Sequence, residues 1–155
     1  CVVEVLGAIK ARHKVDLGAE ERKVTLVGLY DRADLVLPWT SSMGRVALLG
    51  DAAHPMLQYL AQGACMAIED AVCLAHQVAA HGEDLASAFR AYTAARYLRT
   101  GRVQLTARFY GDVYHAEGVT RELRNMTLTP RTPDQAYQGM DWLYNGVGPN
   151  GEQVL

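Results

Sequence analysis

The feature that most limits the fold is a short apolar run ending in Gly-Asp, followed after a loop by a long helical pattern. The run, residues 45–51, is continuously apolar between its ends, which is typical of a buried strand. From Gly63 the apolar residues recur at helical spacing, and His81 and Gly82 provide a C-terminal stop. A strand that delivers an aspartate to a sheet edge, with a helix after it, is typical of ligand sites in α/β proteins.

Further elements are predicted on both sides of this stretch. Residues 23–30 alternate and are rich in β-branched side chains, which predicts a strand. A second helix is predicted from about Asp84, because apolar residues recur at intervals of three and four as far as Phe109. Two prolines then interrupt the chain before a short amphipathic helix at residues 134–144. The predicted fold class is therefore α/β, with short strands followed by long C-terminal helices.

Composition and charge exclude several classes of function. A hydrophobic content of 50% and a charged content of 21% over 155 residues predict a folded globular protein. A net charge of −2 gives no electrostatic case for nucleic acid or an anionic membrane as a partner. No apolar run reaches the ~20 residues that a bilayer-spanning helix needs. The arginines of the second helix are expected to be solvated or ion-paired, with Glu69 and Asp70 pairing to Arg96 or Arg99.

The cysteines and potential metal ligands point to a reducing, metal-free setting. Cys65 and Cys73 share the first predicted helix, where eight residues separate them by about 12 Å, too far for a disulfide. We expect both to be small core residues of a cytoplasmic protein. Four acidic or imidazole side chains lack the tight spacing of metal ligands, so no metal site is expected. They are Asp51, His54, Glu69 and Asp70.

Residues 44–71 carry the chemistry. Asp51, at the end of the predicted strand, can accept hydrogen bonds from sugar-like hydroxyls. The helix N-terminus at Gly63 presents free backbone N–H groups and a partial positive charge, which can hold an anion or a developing negative charge. Glycine at this position also lets a flat ligand approach the backbone closely.

The stretch resembles a known cofactor motif. Gly-Asp-Ala-Ala-His-Pro at 50–55, Gln-Gly-Ala at 62–64 and Glu-Asp-Ala at 69–71 resemble the second FAD motif of flavoprotein aromatic hydroxylases. The fold of that family is that of para-hydroxybenzoate hydroxylase. Residues 54–67 are most similar to 3-hydroxybenzoate 6-hydroxylases, with salicylate hydroxylases next. The resemblance extends from about Tyr30 to the helix that contains Trp142.

The resemblance implies roles for particular residues. Asp51 would bind the ribityl chain of FAD, the loop from Pro55 to Gln62 would pass the flavin ring, and Gly63 with Ala64 would face its N1–C2=O edge. Gln58, on this loop, would be a catalytic contact to the substrate hydroxyl, although a plain loop amide is an equal alternative. Gln62 has a structural and a functional interpretation of equal weight. His54 is better interpreted as structural than as a ligand-site residue.

The resemblance also implies an activity. The parent enzyme would be an FAD-dependent monooxygenase that uses NADH or NADPH and O2 to hydroxylate a phenolic aromatic acid, of the 3-hydroxybenzoate to gentisate type. A salicylate 1-hydroxylase-type enzyme is the alternative. Small aromatic acid and O2 are the expected partners, and a homodimer is one assembly that the sequence allows.

A departure from the family pattern suggests a C-terminal fragment. The dinucleotide fingerprint expected after a first strand is absent, and its one literal match, at 146–151, has no strand before it and contains Pro149. Residues 1–43 would then end a substrate-binding region, and residues 44–155 would form the C-terminal part of an FAD-binding domain. A fragment could also be a non-catalytic interaction module, and alone it is expected to be inactive.

Overall fold

The computed structural model describes residues 37–145 and 148. Two long helices, α1 (Gly63–His81) and α2 (Leu85–Tyr114), pack against each other and form the largest interface between described elements. Two short 3₁₀ helices precede them and three shorter helices follow. The 3₁₀ helices are Gly50–Ala52 and Gln58–Leu60, and the later helices are α3 (Gly118–Leu128), α4 (Pro133–Gln138) and α5 (Asp141–Tyr144).

Helix α1 begins and ends where the sequence predicts. Gly82 follows it with φ of 59°, a left-handed value that favours glycine, and its N–H donates to the carbonyl of Val78 at 3.0 Å. The buried residues Met66, Asp70 and Cys73 recur at helical spacing, so one face of α1 packs inward. The face opposite remains exposed at Ile68.

Helix α2 also begins at its predicted N-terminus. The Asp84 carboxylate accepts the Ser87 backbone N–H at 3.0 Å and the Ser87 hydroxyl at 2.6 Å, which caps the first turn. Its 30 residues make it about 45 Å long. This length lets α2 support α1, the loop before α1 and the C-terminal helices together.

The segment after α2 differs from the prediction. The sequence predicts a single helix at 134–144, but α4 and α5 are separate. Helix α4 ends at Gln138, and the N–H of the following Gly139 caps it by donating to the Gln135 carbonyl at 3.2 Å. Thr132 and Gln135 form a capping box that fixes the start of α4. Helix α3 was not predicted, and its apolar side chains, such as Leu123, are exposed.

The predicted strand at 45–51 is wrong for the described residues. Thr40 and Ala47 form one isolated antiparallel bridge, and the end of the run is a 3₁₀ helix. A continuously apolar run is buried only when neighbouring strands cover it, and the described residues provide no such neighbours. Val46 is 56% exposed, and the nearby leucines are also exposed. The predicted strand at 23–30 lies outside the described residues, so the α/β class is not confirmed.

Two buried clusters form the core of the described part. One contains Leu60, Met66, Val103, Ala107 and Leu143, with Met56 and Trp142 packed against it. The other contains Trp39, Ala53, Cys73 and Tyr92. Cys73 is therefore a core residue as predicted, whereas the same prediction for Cys65 is wrong, because the outward side of α1 exposes it. Across the described residues, no helix is both long and apolar enough to span a membrane.

Candidate functional site

A tight turn at residues 50–54 presents Asp51. Gly50 has φ of 57°, and its carbonyl accepts the N–H groups of Ala53 and His54, both at 2.9 Å. A Cβ on Gly50 would lie 3.2 Å from the Cβ of Ala67 on α1, so glycine lets the turn pack against that helix. Asp51 is exposed and forms no side-chain hydrogen bond or ion pair with other described residues.

The carboxylate of Asp51 lies beside the N-terminus of α1. Its Oδ1 is 3.8 Å from the position that a Cβ on Gly63 would occupy. The N–H of Met66 makes the first helical bond, to the carbonyl of Gln62 at 2.9 Å, and the Gln62 side chain does not cap the helix. The N–H groups of the first turn, including that of Ala64, are therefore available to a ligand. The Asp51 carboxylate, an acceptor, thus lies beside the N–H donors of the first turn of α1, and together they form an exposed place, the helix mouth of α1.

The loop that leads into this helix is held by α2. The Gln104 side-chain amide donates to the carbonyl of Pro55 at 2.7 Å. Leu60 is buried in the core, and Ala61 takes a left-handed φ of 52° before the helix begins. Gln58 is exposed at the start of the 3₁₀ helix, and its side chain has no hydrogen bond within the described part of the chain. The loop therefore presents a free amide on a fixed backbone.

Tyr59 lies in a notch on α2 that a glycine creates. A Cβ on Gly111 would stand 2.6 Å from Cε2 and 3.0 Å from Cδ2 of the Tyr59 ring. The ring also makes edge contacts with Tyr114 and His115, at centroid distances of 6.0 and 5.5 Å. Because Tyr59 directly follows Gln58, this notch sets where the Gln58 amide lies.

A buried network of charges lies behind the turn. Asp70 accepts the Gly50 N–H at 2.9 Å on Oδ2, contacts His54 Nε2 at 2.5 Å through the same oxygen, and accepts Arg96 Nε at 2.7 Å on Oδ1. Asp70, His54 and Arg96 are all fully buried. Arg96 NH1 also lies 2.8 Å from Glu69 Oε2. The predicted pairing of the two acids with arginines of the second helix is confirmed.

The network continues to the C-terminal helices. Arg99 donates to both oxygens of Glu69, at 2.7 and 2.8 Å, and to the carbonyls of Trp142 and Leu143, at 3.1 and 3.2 Å. The bidentate geometry is the strongest form of an Arg–carboxylate pair. Arg99 therefore ties α1, α2 and α5 together.

The network shifts the pKa values of its acids. Burial acts to raise the pKa of Asp70, but hydrogen bonds from His54, Arg96 and Gly50 outweigh it and leave the pKa lowered. Burial also acts to raise the pKa of Glu69. Hydrogen bonds and charges from Arg99 and Arg96 outweigh it and leave that pKa lowered. Both acids are thus held as carboxylates.

Tyr92 belongs to the surroundings of this network. Burial, and then the charge of Asp70, raise the pKa of the Tyr92 hydroxyl. The hydroxyl therefore keeps its proton and donates to the carbonyl of Leu48 at 3.2 Å. This bond secures the extended segment that leads into the turn.

The structure brings some predicted site residues together and separates others. Asp51, Gly63 and Ala64 share the exposed helix mouth, whereas Gln62 is 8% exposed. Pro55 is half-buried and contributes its carbonyl to the loop anchor. In the ranges 37–145 and 148, no three His, Cys, Asp or Glu side chains converge as a metal site would require.

Local sequence patterns do not identify the residues on α2 that hold the loop. Gln104 and Gly111 lie far along the chain from Pro55 and Tyr59, so no local spacing links them. One signal was available: a glycine inside a helical pattern costs ~1 kcal/mol and is usually present for a packing or functional reason.

Comparison with known proteins agrees with the sequence resemblance. A family model described as an FAD binding domain matches residues 29–105. The 3-hydroxybenzoate 6-hydroxylase of Polaromonas naphthalenivorans is 50% identical over 66% of this chain and 26% of its own length. A 3-amino-4-hydroxybenzoate 2-monooxygenase of Streptomyces platensis is 38% identical over 92% of this chain and 32% of its own.

A solved structure shows the same relationship. The crystal structure of Klebsiella pneumoniae HpxO, complexed with FAD and uric acid, is similar with a TM-score of 0.58 and 38% sequence identity. The match covers 63% of this chain and 25% of that one. The chain spans 26–32% of the length of the first relatives that it matches. These matches show that the chain belongs to the family of FAD-dependent aromatic hydroxylases.

Proposed function

We propose that the helix mouth of α1 forms the ribityl and ring-edge contacts of an FAD site. The observation that supports this is the exposed Asp51 carboxylate, which has no partner among the described residues and faces Gly63. The residues fit the cofactor chemically: a carboxylate accepts from hydroxyls, and the free N–H groups at Gly63 and Ala64 suit an electron-rich ring edge. Because position 63 has no side chain, a flat ring can approach the backbone there.

The chain's own residues would each have a separate role in the reaction. When bound, FAD supplies the redox chemistry, namely reduction by NADH or NADPH and activation of O2 for ring hydroxylation. Asp51 holds a ribityl hydroxyl, and the N-terminus of α1 stabilises negative charge at the adjoining ring edge. Gln58 offers a donor and an acceptor to the phenolic oxygen of the substrate. The loop from Pro55 to Gln62 forms part of the wall that excludes water.

We propose a phenolic aromatic acid as the substrate, hydroxylated as 3-hydroxybenzoate is by a 6-hydroxylase. Support comes from relatives named 3-hydroxybenzoate 6-hydroxylase that are 49–52% identical over about two thirds of the chain. A reducing, cytoplasmic setting and use of a nicotinamide nucleotide belong to the same proposal. Incubating the purified full-length protein with NADH or NADPH and hydroxybenzoate isomers, and identifying the products, tests the substrate class. Consumption of NADH or NADPH without formation of any hydroxylated aromatic acid would contradict the proposed substrate class.

The FAD site is tested by Asp51→Ala in the full-length protein. Loss of a charge-assisted hydrogen bond worth ~1.5–3 kcal/mol should weaken FAD binding about ten- to a hundredfold. Fluorescence titration measures the dissociation constant directly. Asp112→Ala is the matched control, because Asp112 is exposed on α2 and has no hydrogen bond or ion pair with other described residues. Equal FAD affinity in the Asp51 variant and the unmodified protein would refute the assignment.

A further inference from the structure

Asp70 binds both ends of the turn that carries Asp51. Its Oδ2 accepts the N–H of Gly50, the first residue of the turn, at 2.9 Å. The same oxygen contacts Nε2 of His54, the last residue, at 2.5 Å. Asp70 itself is fully buried and lies behind the turn, so it does not reach the helix mouth where a ligand would bind. Its contacts near this place are with the turn, through Gly50 and His54.

The remaining oxygen of Asp70 is held as firmly. Arg96 Nε donates to Oδ1 at 2.7 Å, and Arg96 is fully buried and paired in turn with Glu69. Since both carboxylate oxygens are engaged, Asp70 cannot rotate without breaking a charge-assisted hydrogen bond in a buried place. The Asp70 carboxylate therefore connects the turn at residues 50–54 to Arg96 on α2.

We propose that Asp70 is a positioning residue for FAD binding, fixing the Gly50–His54 turn so that Asp51 points at the mouth of α1. The inference rests on the proposed function, since it takes Asp51 as the cofactor ligand. A preorganised acceptor binds more tightly than a mobile one, because less freedom is lost when the ligand arrives.

Asp70→Asn is the informative change, because the amide is the same size but cannot satisfy all its neighbours. With its oxygen toward Gly50, the NH2 group faces the Arg96 N–H; flipped, it faces the Gly50 N–H. In the first orientation the bond from Arg96 is lost, so the side chain that holds the turn is no longer fixed to α2; in the second the bond from Gly50 is lost and the turn itself is released. We expect FAD affinity to fall about tenfold in the full-length protein.

A double-mutant cycle separates positioning from a general loss of structure. If Asp70 acts through Asp51, then Asp70→Asn should change FAD affinity by no more than about twofold when Asp51→Ala is already present, the usual error of additivity. A tenfold loss in both backgrounds would overturn the positioning role. If Asp51→Ala alone leaves FAD affinity unchanged, the proposed FAD site fails instead, so the two failures are distinguishable.

Three further variants keep the test decisive. Asp112→Asn is the matched control, because it makes the same change of carboxylate to amide at an exposed position of α2 outside this network; it should leave FAD affinity unchanged. If Asp70→Asn does not fold, His54 serves instead. His54→Gln keeps a nitrogen donor near the Nε2 position, whereas His54→Asn is too short to reach Asp70. The Asn variant should weaken FAD binding and the Gln variant should not, and equal affinities in the two would overturn the inference.

Discussion

Gly111→Ala should displace the loop that carries Gln58. The added Cβ would lie 2.6 Å from Cε2 of the Tyr59 ring, which is too close for any carbon pair. Because ordinary carbon contacts are about 3.5–4.0 Å, the ring must move by about 1 Å. The neighbouring Tyr114 and His115 rings and the buried Leu60 restrict its escape, so the 3₁₀ helix must move with it.

The expected cost in stability is small and the expected cost in function is larger. Overpacking costs ~1–3 kcal/mol, and Gly→Ala inside a helix returns ~1 kcal/mol, so unfolding free energy should fall by about 0–2 kcal/mol. A 1 Å misplacement of a reacting partner can lower a rate about a hundredfold. We therefore expect the ratio of hydroxylated product to NAD(P)H consumed to fall at least about twofold. FAD affinity should be unchanged, because Asp51 and Gly63 are held elsewhere.

The assay combines product quantification with NAD(P)H oxidation in the full-length protein at saturating substrate. Gly139→Ala is the matched control, since its Cβ would meet only Ala136 and Gln135 carbonyls, at 3.4 and 3.6 Å. Combining Gly111→Ala with Tyr59→Leu should reverse the sign of its effect on stability, because the clash is gone and only the helix gain remains. An unchanged ratio of hydroxylated product to NAD(P)H consumed would refute the notch as the feature that positions Gln58.

Three further outcomes follow from the same geometry. Gly63→Val should give a folded, flavin-poor protein, because a Cβ there has 3.8 Å of room but its methyls enter the helix mouth; normal flavin absorbance would contradict this. Gln58→Leu should bind FAD normally yet release more hydrogen peroxide per NAD(P)H consumed, and unchanged coupling would return Gln58 to a plain loop amide. The lowered pKa values of Glu69 and Asp70 should stabilise the fold above their ordinary values of 4.5 and 3.8. That stability should be lost as pH falls from there through the lower folded values, and acid titration of unfolding should be flatter in Glu69→Gln.

The sequence predicts the two long helices, α1 and α2, well because their signals are local. The start of α2 depends on Asp84 and Ser87, and the end of α1 depends on Gly82, all within a few residues of the boundary. The placement of Asp51 near Gly63 follows similarly, since a turn and one loop connect them. These features depend on hydrogen bonds and backbone preferences that a short window of sequence contains.

The errors arise where distant segments decide the outcome. The predicted strand at 45–51 needed covering neighbours, and one bridge at Ala47 is all that the described residues give it. Gln104 meets Pro55 across 49 residues, and Gly111 meets Tyr59 over a similar separation. No spacing rule connects such pairs, so the residues that position the loop emerge only from the packing of α2 against it.

The contacts that α2 makes with the turn and the loop occur in the same order along both segments. Arg96 fixes the turn at 50–54 through Asp70, Gln104 fixes Pro55, and Gly111 receives Tyr59. These three positions extend over about 22 Å of helix, so the loop follows α2 in the same direction.

This order predicts that damage along α2 is separable by assay. Perturbation at Arg96 should act through the turn on Asp51 and appear as lost FAD affinity. Perturbation at Gly111 should act on Gln58 and appear as lost coupling with FAD still bound. Gln104, between them, contacts the loop where it leaves the turn, so Gln104→Leu should affect both. A single pattern of loss at all three positions would mean that α2 stabilises the fold as a whole and does not position the two ends of the loop independently.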